Sequence, residues 1–219
     1  MKNQYFKKLL LFIGLISCSL FGQTSLYEHP DFVKIAKEHQ KIAVLPFKTT
    51  VKLRPKQMKE ISTEQLTELE IKEGLSVQSG MYSWFLKRKK RGKLTVDVQD
   101  PKRTNALLTK NGITQENLFE YTTEDIAKIL EVDAIVSGTL QTNKPMSEGA
   151  SIALGILVGF WGSTNTAVAN ISIHNATDGE LLWNYNKKVG GALGSSSEDM
   201  INILMRKASR RLAYTKNKM

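Results

Sequence analysis

Two alternating stretches near the C-terminal end, "AVANISIH" and "ELLWNYN", flank the dipeptide Asp178-Gly179. Successive side chains of a strand point to opposite faces. Ala169, Ile171 and Ile173 therefore share one face, and Leu181, Trp183 and Tyr185 share one face of the partner strand. Asp-Gly between two such runs predicts a tight hairpin, because glycine accepts the positive φ that such turns demand. An antiparallel pair with one apolar face must have that face covered. The rest of the chain is thereby committed to supplying a layer against it.

The remaining pattern supplies strands and helices in mixed order. "KIAVLPF" predicts a buried strand, with Ile42, Ala43, Val44 and Leu45 in one run and Pro46 ending it. Pro55 is placed to start a helix, and from Lys56 to Lys90 the apolar residues Met58, Ile61, Leu66, Leu69, Val77, Met81, Trp84 and Phe85 fall near helical spacing, with Gly74 and Gly80 expected to kink or interrupt it. "KLTVDV" alternates as a second strand carrying Leu94, Val96 and Val98 on one face. Pro101 opens a helix that Asn111-Gly112 closes, and Thr122 with Asp125 has capping-box spacing before another. "VDAIVSGTL" gives a strand over 134–140. After the hairpin, Ser195 and Glu198 predict a cap for a last helix whose Ile201, Leu204, Met205, Ala208 and Leu212 face a core. The expected fold is α/β (α+β), with one mixed sheet of about five strands packed by helices and an apolar, glycine-rich insertion at about 146–165. Residues 23–40 read as a lead-in and 41–219 as a single domain, with 190–197 as a glycine- and serine-rich linker.

The N-terminus bears on location. Lys2, Lys7 and Lys8 precede an apolar run from Leu9 to Phe21, the length of a signal-peptide core and short of the ~20 residues of a spanning helix, so 1–22 is expected to be a signal peptide. Two cleavage readings compete. Leu15-Ile16-Ser17-Cys18 matches a bacterial lipobox, whose chemistry requires a thiol to take the lipid, so Cys18 is the candidate lipidation site. Cleavage after Gly22 instead leaves Gln23 first. Cys18 is the only cysteine, so the mature chain has no intrachain disulfide under either reading, and thiol catalysis and cysteine metal sites are excluded. Lys+Arg exceeds Asp+Glu by 31 − 21 = 10, which favours acidic partners. An exported chain is not expected to meet nucleic acid, so anionic membrane surfaces are the expected ones.

Two further stretches are candidates for contact. Thirteen residues from Ala150 to Gly162 carry no charge, and Gly155 and Gly159 have the G-x-x-x-G spacing that lets helices approach closely. This stretch reads as a buried element covering the sheet, as a surface where Ile156, Leu157, Phe160 and Trp161 meet a membrane or partner, or as a span, for which it is short. "KRKKRGK" clusters Lys87, Arg88, Lys89, Lys90 and Arg91. Such cations bind phosphate or anionic lipid, or else form a solvated helix end opposing the negative pole of the macrodipole. Nothing converges on catalysis. His29, His39 and His174 are scattered, with His174 expected at the surface, and Asp97 and Asp100 are expected in strand-end and turn roles. Neither a metal nor a cofactor is expected, and the chain is expected not to be an enzyme.

The combination of "KIAVLPF", "VDAIVSGTL" and "ISIHNATDGELLWNYNKKV" with a final amphipathic helix resembles a group of bacterial envelope domains. That group includes the N-terminal domain of the Tol translocation protein, the lipoprotein activators of penicillin-binding proteins, and the curli export channel protein. The matches run from Asp133 to Gly138 and from Asp178 to Trp183, within about residues 41–214. The whole chain also resembles uncharacterised secreted proteins of Bacteroidetes type. The resemblance implies a non-enzymatic, exported module, periplasmic, outer-membrane-associated or secreted, that binds envelope proteins or assembles with itself. The alternatives are a subunit of an outer-membrane export or pore assembly, and an enzyme with an unrecognised site.

Overall fold

The computed structural model describes residues 24–53, 55–143, 166–190, 197–208 and 212–215. The expectations for Cys18, for Ser195 as a cap and for Ile156, Leu157, Phe160 and Trp161 lie outside these residues. The elements in chain order are β1 (Thr24–Glu28), α1 (Phe32–Ala36), β2 (Lys41–Val44), β3 (Lys48–Val51), α2 (Pro55–Glu60), α3 (Thr63–Lys90), β4 (Asp97–Val98), α4 (Pro101–Lys110), α5 (Thr123–Leu130), β5 (Ala134–Thr142), β6 (Thr166–Asn175), β7 (Leu181–Gly190) and α6 (Ser197–Ala208).

The described strands form one seven-stranded mixed sheet in the order β1-β7-β6-β5-β2-β4. β2 and β3 lie end to end beside β5, both parallel to it, with Ile42 opposite Ala134 and Lys48 opposite Thr139. β5, β6, β7 and β1 are antiparallel neighbours. The sheet therefore carries two strands more than expected. β1 lies inside the segment read as a lead-in, and β3 lies where no strand was expected. Each is a short strand held by one longer neighbour, β7 or β5.

The main core packs α3 and α6 on one face of the sheet, with Val77, Met81, Trp84 and Phe85 against Val136, Leu140, Ala169, Ile171, Trp183 and Met205. A smaller cluster sets α4 and α5 on the other face, where Leu108, Ile126 and Leu130 meet Ala43, Leu45 and Ile135. The long helical run breaks at Ser62 and not at its glycines. Ser62 caps α3 by a reciprocal capping box with Gln65, which satisfies two otherwise unpaired backbone groups. Gly74 sits within the continuous helix because a Cβ there would come 2.1 Å from the Phe47 carbonyl oxygen. The expected helical face fails at Met58, which is exposed.

The hairpin forms as expected, with Gly179 at φ +69. A bulge between Ile173 and His174 then shifts the register. Leu182 is fully buried and Leu181 half-buried, so Leu181 does not share the depth of Trp183. Leu204, Met205, Ala208 and Leu212 are buried as expected, although Leu212 lies beyond the described end of α6. No described helix is long and apolar enough to cross a membrane.

Candidate functional site

Three surfaces stand out among the described residues. The first is a cleft of about 830 Å³ at the end of the sheet where β2 and β5 begin. It is lined by carboxylates, including Asp31, Glu38, Glu124, Asp133 and Asp178, with Lys34 and Lys128 among them. Much of this acidity has a structural job. Asp133 Oδ2 accepts from the backbone N–H of Gln40 at 2.7 Å and of Lys41 at 2.8 Å, tying the start of β2 to that of β5. Asp178 Oδ1 accepts from Asn175 Nδ2 at 2.9 Å and from Glu180 N at 3.0 Å, which closes the hairpin turn.

His39 lies at the back of this cleft and joins three distant parts of the chain. Its Nδ1 is 2.7 Å from the Tyr214 hydroxyl and its Nε2 is 3.2 Å from Asn175 Oδ1. Asn175 Nδ2 donates to Asp178, so Asn175 Oδ1 can only accept, and His39 carries its proton on Nε2. Tyr214 then donates to Nδ1. The chain Tyr214–His39–Asn175–Asp178 is complete with a neutral imidazole. Burial pushes the His39 pKa below its ordinary value, and this outweighs the Asn175 hydrogen bond and the nearby Asp133, Glu38 and Asp178 carboxylates, which push it up. Burial also raises the Tyr214 phenol well above its usual range. This is a strap holding residues 212–215 against the sheet end.

The second surface is the end of α3. Lys87, Lys89, Lys90 and Arg91 are exposed and Arg88 is half-buried, its guanidinium 4.8 Å from the Trp84 ring. Lys89 pairs with Asp97. Asp100 caps α4 by accepting from Lys102 N at 2.7 Å. Asp97 and Asp100 thus hold the strand-end and turn roles expected of them. Both line a smaller cleft of about 400 Å³ with Lys41, Lys89 and Arg103, where the charges are of both signs.

The third surface is a bare sheet face. The buried positions of β6 alternate with Val168, Asn170 and Ser172, which point to the opposite side. Register places beside them Ser137, Thr139 and Gln141 of β5, Asn184, Asn186 and Lys188 of β7, and Ser25 and Tyr27 of β1. Each of these is exposed or half-buried. Asn184 Nδ2 donates to Asn170 Oδ1 at 2.6 Å and to Ser172 Oγ at 2.9 Å, so β6 and β7 are cross-linked by fixed polar side chains. Lys188 is the one charged residue among these eleven, in a chain of which 24% is charged, and the face continues past β5 onto Lys48 and Thr50 of β3, both exposed. At the cleft end of this face His174 is half-buried, not at the surface as expected, with Nδ1 buried and unpartnered and its pKa lowered by burial.

Neither the His39 strap nor the bare face was among the expected sites. The face was implicit in the alternation of "AVANISIH" and "LLWNYN", whose outward positions are mostly amides and hydroxyls (Asn170, Ser172, Asn184 and Asn186) with Val168 and His174 at the ends. Among the described residues no group of three or more His, Cys, Asp or Glu is arranged to hold a metal ion.

No family model matches the chain. No curated protein matches it either. Among solved structures, the lipoprotein GNA1162 from Neisseria meningitidis is similar at 13% identity with TM-score 0.44, covering 79% of this chain and 96% of that one. The PelC dodecamer from Paraburkholderia phytofirmans follows at 13% identity and TM-score 0.41, over 84% and 95%. The LpoB C-terminal domain from Salmonella enterica gives 7% identity and TM-score 0.35, over 69% and 83%. Likeness at these scores carries no functional argument.

Proposed function

We propose that the chain is an exported, envelope-associated protein that acts by binding a component of the envelope and not by catalysis. The observation that carries this reading is the bare face of β5, β6, β7 and β1. The opposite face of those strands is committed to the core, while this one offers a preformed, cross-linked array of side chains to solvent. The signal-like N-terminus supports export. β1 begins at Thr24, so cleavage after Gly22 leaves the strand whole, and lipidation at Cys18 leaves a tether of residues 19–23. Under the second reading, such a tether reaches about 18 Å at most, which holds the β1 edge close to the membrane. The cations at Lys87 to Arg91 favour an anionic membrane surface as a subsidiary contact.

The test is photo-crosslinking in cells. A photoreactive residue at Ser25 or Thr139, on the face, is compared with one at Lys110, on α4. Discrete heavier adducts from the face positions and none from Lys110 support the reading. Adducts from neither, or equally from both, contradict it. A doubled chain mass in the adduct identifies a second copy as the partner.

A further inference from the structure

We infer that the bare face of β5–β6–β7–β1 is a binding surface for an uncharged polysaccharide. This rests on the reading above that the face is where the chain binds, and it names the partner's chemistry.

Charge and hydrogen-bonding complementarity select this partner. Neighbouring strands are ~4.8 Å apart and alternate residues of a strand ~6.8 Å apart, so the face is a grid of side-chain amides and hydroxyls about 14 Å wide across four strands. Serine and threonine hydroxyls donate and accept, and amide side chains carry both functions in one plane. A sugar's hydroxyl groups need such mixed partners, whereas an ionised ligand needs counter-charge. Phosphate, sulfate or uronate groups would find only Lys188 within the four strands, and Lys48 of β3 one strand beyond them, beside Thr139. The face is equally poor in what other partners require. Protein interfaces centre on aromatic, Arg and other well-packed anchors, and interfacial membrane segments on an apolar face with basic residues. This grid offers two large apolar groups, Tyr27 and Val168, with exposed Phe119 beside Lys48 beyond its β5 edge. A neutral ligand leaves no ion stranded when the face is covered, so it avoids the desolvation penalty that a charged face would impose.

Two features adapt the grid to a polymer. Asn184 is held by its bonds to Asn170 and Ser172, so ordering these amides costs little on binding. Tyr27, 45% exposed on the outermost strand, offers an aromatic face and a hydroxyl at the rim, where the apolar side of a sugar ring can stack.

Affinity electrophoresis of the full mature chain tests the inference. Native gels carrying dextran, hydroxyethyl cellulose or galactomannan are run beside one carrying alginate, an anionic polymer. Retardation in at least one neutral gel is expected. Tyr27→Ala is expected to weaken it about tenfold, since an aromatic contact is worth about one decade in affinity. Asn186→Ala weakens it too, and Lys110→Ala leaves it unchanged. Tyr27 and Asn186 are not core residues, and an unchanged melting temperature shows that their variants fold. Retardation by alginate alone overturns the inference, as does its absence in all three neutral gels. Neutral-gel retardation that survives both substitutions also overturns it, because binding then lies elsewhere. A protein adduct from the face in the crosslinking experiment, with no neutral-gel retardation, overturns this inference while leaving the binding reading intact. Absence of face adducts removes both.

Discussion

The His39 strap makes a prediction whose sign and size both follow from the geometry. Replacing His39 by Ala leaves the Tyr214 hydroxyl, 0% exposed, and Asn175 Oδ1 without their partner. A buried polar group left unsatisfied costs about 1–3 kcal/mol, so the variant loses about 2–6 kcal/mol in all. Tyr214→Phe removes one hydroxyl and strands one ring nitrogen, at a cost of about 1–2 kcal/mol. The wild type also carries a pH signature. His39 binds its proton less tightly in the folded state than in the unfolded chain, whose value is near 6.5. At pH well above 6.5 neither state is protonated and the strap contributes in full. As the pH falls through 6.5 toward the lower folded value, the unfolded chain binds more protons, and stability falls. His174 is shifted the same way and adds a slope of the same sign. Urea unfolding at about pH 8 and about pH 5 reads both effects, with midpoints moving about 1–3 M for His39→Ala if the slope is about 2 kcal/mol per molar. His39→Gln is expected to reduce the acid-side loss, and the further change His174→Gln to reduce it again. If Tyr214→Phe matches the wild type at both pH values, or His39→Gln leaves the acid-side loss unchanged, the strap is not the stabilising element described here.

Gly74→Ala is expected to cost at least about 2 kcal/mol, because its Cβ would fall on the Phe47 backbone, which must shift; calorimetry of the variant checks this. Ser62→Ala removes the cap of α3 and is expected to lower stability by about 1 kcal/mol, read as a shift in urea midpoint at unchanged slope. Lys90→Glu with Arg91→Glu is expected to weaken sedimentation with vesicles of anionic lipid by about tenfold or more, at about 1 kcal/mol for each cation near a charged membrane, with the wild-type binding lost at high salt.

The elements legible in the sequence are those whose own residues determine them. The hairpin was marked by alternation and Asp178-Gly179, α4 by Pro101 and Asn111-Gly112, and β5 by its apolar run. The Asp133 and Gly138 pattern that carried the resemblance proves to be architectural. Asp133 ties two strand starts, and a Cβ on Gly138 would lie 2.5 Å from the Phe47 ring. β1 and β3 were not legible because "TSLYE" and "KTTV" owe their extension to pairing with β7 and β5, a tertiary effect that short polar strands do not announce. The bulge that buries Leu182 also leaves no local mark. The strap was hidden because His39 meets Asn175 and Tyr214 at separations of 136 and 175 residues. The basic run was legible as charge, but the Arg88–Trp84 stacking and the Lys89–Asp97 pair appear only once α3 and β4 are side by side.

The central claim is that an exported chain presents this sheet at the envelope. Its most direct measurement is the mass of the mature N-terminus from fractionated cells, for the wild type beside Cys18→Ser. The account predicts a chain recovered outside the cytoplasm, beginning either at Gln23 or at a lipid-modified Cys18 whose membrane association is lost in the variant. A full-length chain beginning at Met1 in the cytoplasmic fraction would contradict it.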